Sequence, residues 1–165
     1  NIYIYRELYG AGYTGERLAH LILEMERADP TMAMCILDTS CWNRTGLGPS
    51  IAETMIRSGV RWIPADRDRI SGKVEMHRRL AINERTGEPK LKVFATCTNL
   101  IRTLSSIPTS KINPEDVDTK ADDHAYDALR YMIMTRQSNQ PTLNTTLNRI
   151  KDRVSYEPSD TVFGY

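Results

Sequence analysis

Apolar residues fall along this chain in two alternating rhythms, short dense runs and longer stretches spaced three and four apart. Ile2 to Tyr9 carries isoleucine and tyrosine on both faces and is closed by Gly10 and Gly12, which predicts a strand. Thr14 can cap a helix whose apolar positions Leu18, Leu21, Ile22 and Met25 follow the i, i+3, i+4, i+7 rule up to Pro30. Ala33 to Leu37 is a nearly continuous apolar run, the pattern of a strand covered on both sides. After the loop Gly46 to Pro49, a short helix is expected from Ser50 to Ser58 with Gly59 as its stop. Val60 to Ile63 reads as a strand halted by Pro64, and Ser71 as the cap of a helix to Leu80. Thr86 to Pro89 is a turn, Leu91 to Ala95 a strand, and Leu100, Ile101 and Leu104 mark a helix stopped by Pro108. The acid-rich connector Asn113 to Lys120 leads into a last helix ending near Thr135.

Strands alternating with helices argue for an α/β fold with a mostly parallel sheet over residues 1–136. Residues 137–165 are rich in Gln, Asn, Thr and Ser, with a weak helical pattern only around Thr145 to Val154, and read as a polar tail or linker. No internal repeat is visible.

Composition narrows the picture only a little. The 165 residues suffice for one domain with a real core, and 40% hydrophobic and 26% charged residues are ordinary for a globular protein. No run approaches the ~20 apolar residues of a membrane span, and Asn1-Ile2-Tyr3 has no signal-like character. A net charge of +1 gives no global attraction to nucleic acid, so any such surface is local. Cys35, Cys41 and Cys97 are odd in number and lack CxxC spacing, which argues against a zinc site or disulfide framework and for a reduced, cytoplasmic setting.

The chemistry concentrates in Asp122-Asp123-His124-Ala125-Tyr126-Asp127-Ala128-Leu129-Arg130-Tyr131. Asp123 and Asp127 lie four apart and His124 and Asp127 three apart, so on a helix they share one side. Acids in a first helical turn can simply complement the dipole; with the histidine among them they also suit a hard cation. Asp38 stands just past the apolar run 33–37, where open α/β sheets place their ligands, although an Asx turn is the plainer use of Asp before Thr-Ser. Arg67, Arg69, Lys73, Arg78 and Arg79 offer a basic strip for phosphates, interrupted by Asp66 and Asp68, and could equally be a solvated face. Neither GxxxxGK[ST] nor GxGxxG occurs. Trp42 and Trp62 read as packing residues, His20 and His77 as surface histidines, and Cys41 has no paired histidine in sequence.

Four segments together carry a family resemblance. Ile36-Leu37-Asp38-Thr39-Ser40-Cys41-Trp42, Pro64-Ala65-Asp66-Arg67, residues 91–102 and residues 116–131 resemble, in order, the C-terminal nuclease domain of phage large terminase subunits. The resemblance spans roughly residues 1–135, and its last motif is the most specific. It implies a ribonuclease H-like three-layer sandwich and Mg²⁺- or Mn²⁺-dependent endonuclease cutting of concatemeric double-stranded DNA during genome packaging. It further implies an ATPase domain in the same parent polypeptide, the portal and the small terminase subunit as partners, and the host cytoplasm, at the procapsid, as the setting.

Carried over residue by residue, Asp38 and Asp127 are the catalytic acids, and Asp38, Asp123, His124 and Asp127 the metal ligands, with Asp122 an alternative to Asp123. The family's first acid lies on an opening strand two strands before the stretch that resembles Ile2 to Leu8. That strand and its pairing neighbour have no counterpart within residues 1–165. The expected consequences are weak or no metal-dependent cleavage by this chain alone, recovery in a chain extended upstream, and association along unpaired strand edges. The alternative function is a non-catalytic fragment of the same ancestry that binds DNA or a packaging partner.

Overall fold

A computed structural model describes residues 1–29 and 35–138, with no account of the side chains of 136–138. Five helices and four short strands follow the predicted alternation. They are β1 (Ile2–Ile4), α1 (Gly15–Glu26), β2 (Cys35–Leu37), a 3-10 turn (Thr39–Trp42), α2 (Ile51–Arg57) and β3 (Trp62–Pro64), then α3 (Arg69–Leu80), β4 (Leu91–Val93), α4 (Thr98–Ser106) and α5 (His124–Ser138). Ala33 and Met34 of the predicted strand, and the tail with its weak helix at 145–154, lie outside the described residues.

The strands form two parallel pairs rather than one ladder. In one, β1 lies beside β4 with Ile2 opposite Leu91 and Ile4 opposite Val93. In the other, β2 lies beside β3 with Cys35 opposite Trp62 and Leu37 opposite Pro64. Each strand therefore has a single hydrogen-bonded neighbour among the described residues.

Strand β1 is shorter than its apolar run because the following side chains are spent elsewhere. Arg6 donates to the Met25 carbonyl at 2.5 Å and pairs with Asp29 at the end of α1, and Glu7 turns to α4. Strand β3 starts two residues later than the sequence suggests, because Val60 belongs to the end of α2, its N–H bonding the Met55 carbonyl. Pro64 closes the ladder, and since it has no N–H, Ala65 makes the next bond to the Leu37 carbonyl at 2.9 Å.

Helix boundaries follow their caps. Thr14 caps α1, and Ser50 with Glu53 forms a reciprocal capping box at α2. Gly59, at φ +105°, takes the left-handed turn that stops α2, as the sequence suggests. Helix α3 corrects the sequence expectation: its cap is Asp68, whose carboxylate accepts from both the N–H and the hydroxyl of Ser71. Ser71 thus stands inside the first turn, and Arg69 opens the helix. Helix α5 runs on to Ser138, past the expected end near Thr135.

Two cores result. Ile2, Leu91, Met76, Leu100, Tyr126, Leu129 and Ile133 join the β1–β4 pair to α3, α4 and α5. Ala19, Met55 and Val60, with Leu18, Ile22, Leu37 and Trp62 around them, join the β2–β3 pair to α1 and α2. Helix α5 also packs on β2, so it reaches from one core to the other. It crosses α3 closely at Gly72, where a Cβ would stand 2.5 and 2.7 Å from Cγ and Cδ of Arg130. Among the described residues no helix is long and apolar enough to cross a membrane.

Candidate functional site

Asp38 closes β2 and starts the 3-10 turn, its Oδ1 accepting from the Ser40 N–H at 2.6 Å. The Asx turn and the strand-end placement are thus both present. Its other oxygen accepts from the hydroxyl of Tyr131 on α5. Burial pushes the Asp38 carboxyl up, but the Ser40 and Tyr131 hydrogen bonds and the Arg67 charge outweigh it and hold it below the ordinary range. Tyr131 is pushed up correspondingly, by burial first, then by its bond to Asp38 and the nearby Asp127 charge. Tyr131 stands one helical turn beyond Asp127, so it ties the strand-end acid to the acid side of α5. Nothing in the pattern of acids announced it.

The acids at the start of α5 separate into two groups. Asp122 is exposed and binds Arg102 at 2.7 Å and the Tyr9 hydroxyl at 2.9 Å, and these contacts hold its carboxyl low. Asp123 and Asp127 instead face Arg69. Burial and then the Asp127 charge push Asp123 up, while Arg69 and His124 oppose the rise. Of the two alternatives, Asp123 is therefore the one gathered with Asp127. His124 is exposed and lines a cavity of about 540 Å³ between α5 and the stretch after β1, bounded also by Leu8, Tyr9, Leu100 and Met132.

Arginines dominate this centre. Arg69 reaches Asp116 through Nε at 2.9 Å, Asp127 through Nη1 at 3.1 Å and Asp123 through Nη2 at 3.7 Å. Arg130, only 1% exposed, pairs with Asp127 at 3.1 Å and donates to the Asp68 carbonyl at 3.4 Å, its guanidinium 4.5 Å from the Tyr131 ring centre. Arg130, Asp116 and Tyr131 lie within the motif 116–131, but the sequence reading gave them no role. A helical arginine three residues after an acid is the one local signal that pointed to the first of them.

These partners decide how well the implied Mg²⁺ or Mn²⁺ fits. Hard cations take several oxygen ligands with free lone pairs, whereas here Asp38 is engaged by Ser40 and Tyr131, and Asp127 by two guanidinium groups. Among the described residues no three His, Cys, Asp or Glu side chains gather into a metal-holding group. In this arrangement the residues do not form a ready metal centre.

Four of the five basic residues already have intramolecular partners. Arg69 is taken up by the acids, and Lys73 donates to the Pro114 and Asp116 carbonyls at 3.1 and 3.3 Å. Arg78 and Arg79 both pair with Glu75, at 2.6 and 2.7 Å. Arg67 is exposed, and its charge reaches Asp38.

Glu7 is a further residue the sequence left unmarked. The start of α4 has no side-chain cap of its own, and Glu7 supplies one from across the fold, accepting from the N–H groups of Asn99 and Leu100 at 2.8 and 3.0 Å. Burial raises its pKa, but the Asn99, Leu100 and Thr98 hydrogen bonds more than offset this and lower it overall. Glu7→Ala is expected to cost about 0.5–2 kcal/mol, the worth of a helix cap. A carboxyl lowered on folding stabilises above its unfolded pKa, and that share is lost as pH falls through the folded value. Urea titrations of wild type and Glu7→Gln from pH 7 to pH 3 should therefore converge toward the acid end. A constant gap across that range would show that the charge is irrelevant.

Comparison of this chain with family models, curated proteins and solved structures returned no match.

Proposed function

We propose that this chain is the nuclease portion of a phage DNA-packaging terminase, a metal-dependent endonuclease of ribonuclease H-like fold that cuts concatemeric double-stranded DNA. The observation that carries the reading is the meeting of Asp38, at the end of β2, with α5 through Tyr131, next to Asp127 and Asp123. Tyr131, one helical turn beyond Asp127, thus ties α5 to an acid at a strand end, the position where α/β sheets hold their ligands. The motif resemblance over residues 36–42, 64–67, 91–102 and 116–131 supports the same reading. In this proposal the partners are double-stranded DNA, an ATPase domain of the parent polypeptide, the portal and the small terminase subunit, and the setting is the host cytoplasm.

A second reading has its own observation. Asp127 and Asp123 are already ion-paired and Asp38 already hydrogen-bonded, which suits a fragment that binds DNA or a packaging partner without cutting it. One experiment separates the two. The protein expressed from its complete reading frame should convert supercoiled plasmid to linear DNA with Mg²⁺ or Mn²⁺ and not with EDTA. Asp38→Asn should slow that conversion at least roughly tenfold. Metal-dependent cutting untouched by Asp38→Asn would remove the proposed site, and DNA binding without cutting would favour the second reading.

A further inference from the structure

We propose that the outer face of the β1–β4 pair is a stacking platform for single-stranded nucleic acid, with Tyr3, Tyr5 and Phe94 taking unpaired bases and Lys90 and Lys92 the phosphates between them. Helix α5 and its core residues Tyr126, Leu129 and Ile133 pack on the other side of the pair, against Ile2 and Leu91. The platform is therefore a separate surface from the acids around Asp38 and needs no metal.

The ladder assigns the faces. Side chains alternate along a strand, and Ile2, Ile4, Leu91 and Val93 all turn inward to the core. Tyr3 stands directly opposite Lys92, whose Nζ lies 5.9 Å from the Tyr3 ring centre, so these two share the outer side. Tyr5 and Phe94 continue that alternation one residue beyond the ladder, where the Phe94 N–H still bonds the Ile4 carbonyl at 2.8 Å and keeps the chains side by side. Lys90 joins at the other end, its carbonyl taking the Ile2 N–H at 2.7 Å and its exposed side chain following the alternation of Lys92. Tyr3, Tyr5 and Phe94 are 52%, 51% and 50% exposed. Side chains two residues apart on a strand are roughly 6.6 Å apart, about twice the ~3.4 Å spacing of stacked bases.

Residue chemistry selects the occupant. The inner face, which helices cover, is wholly aliphatic; the outer face is aromatic and basic, with two hydroxyl-tipped rings that suit a surface wet at one end. The acids nearby leave this balance positive. Asp29, which takes the Tyr5 hydroxyl, is neutralised by Arg6. Glu88 pairs with Lys92 but is itself 60% exposed, so it can turn to water when a phosphate arrives. Lys90 has no acid among its recorded partners and adds a further charge. Aromatic rings flanked by cations recognise single strands, because every base offers a π face and the backbone its phosphates. Exposed aromatics on adjacent strands of one sheet face are a known arrangement for that stacking. A duplex keeps its bases paired inside, so these rings favour the unpaired form.

The test is fluorescence anisotropy of a labelled thymidylate dodecamer titrated with the full protein, with EDTA present so that metal-dependent cutting plays no part. The dodecamer should bind more tightly than a duplex of the same length. Tyr3→Ala with Phe94→Ala should weaken it by roughly tenfold or more, the worth of one or two stacked bases. Tyr3→Phe keeps the ring and should bind like wild type. Lys90→Gln should flatten the salt slope by roughly 0.7, the share of one phosphate on a single strand. An abasic strand of equal charge, offered to the wild-type protein, should bind at least roughly tenfold more weakly, and this arm requires no variant to fold. No binding of the dodecamer, equal binding of the abasic strand, or unchanged affinity in the folded double variant overturns the proposal. So does a concentration-dependent dimer that Phe94→Ala abolishes, which would give the face to a second copy of the chain.

Discussion

Asp127→Ala is expected to destabilise the fold by about 3–5 kcal/mol, the cost of leaving a buried charge without its partner. The reason lies in Arg130, not in Asp127 itself. Arg130 is 1% exposed and presses its stem against Gly72 on α3, so its guanidinium cannot swing out to water. Its other recorded acceptor is the Asp68 carbonyl, and the 3.4 Å contact is long. Removing Asp127 also takes away one of the acids that hold Arg69. Chemical denaturation should show the midpoint falling while the slope is kept. Asp127→Asn should lose less, because an amide oxygen still accepts from Arg130. Adding Arg130→Met to Asp127→Ala should recover part of the loss, since it removes the stranded charge and fills similar space. A stability within about 1 kcal/mol of wild type, below the range for a broken buried pair, would mean that Arg130 reaches water after all. The practical consequence is that lost cleavage in Asp127→Ala says nothing about chemistry unless folding is checked first.

Apolar spacing located the described α-helices and strands but not the 3-10 turn Thr39–Trp42, because periodicity reports which face is buried and burial dominates packing. A cap was legible where it is local, as at Thr14, and misread at Ser71, where Asp68 three residues earlier takes the role. Strand length was overestimated at 2–9 since hydrogen-bonding partners across a sheet leave no trace in a single chain. The acids of the site were visible as residue types. Their partners were not, because Arg69, Asp116 and Tyr131 are set by tertiary placement: the Arg69–Asp127 pair joins positions 58 residues apart and the Tyr131–Asp38 pair positions 93 apart. Glu7, a cap delivered from 92 residues away to Asn99, was beyond any local rule.

DNA binding by the proposed nuclease should lose its salt dependence through Arg67 and Arg78 in particular. Each phosphate contact contributes about 0.9 to the slope of log affinity against log salt for duplex DNA, so Arg67→Ala with Arg78→Ala should flatten it by roughly 1.8. Helical geometry singles these two out. At 100° per residue Arg69 and Lys73 lie about 40° apart on α3, and Arg78 falls about 180° from Arg69. Arg69 and Lys73 consequently face the connector and the acids, while Arg78 faces solvent with its side chain 61% exposed. Its pair with Glu75 is no obstacle, because Arg79 holds the same buried carboxylate and keeps it partnered when Arg78 turns to phosphate. Arg79 shares that glutamate but is 19% exposed, so Arg79→Ala should act on folding more than on DNA. Arg67 is exposed just before α3, and its charge is felt at Asp38, which places it where DNA held at that acid would pass. Fluorescence anisotropy with a random-sequence duplex between 50 and 200 mM salt reads the slope directly. An unchanged slope in the double variant would reduce the basic residues of this region to a solvated face, and a larger change in Arg69→Gln than in the double variant would move the DNA onto the acid cluster instead.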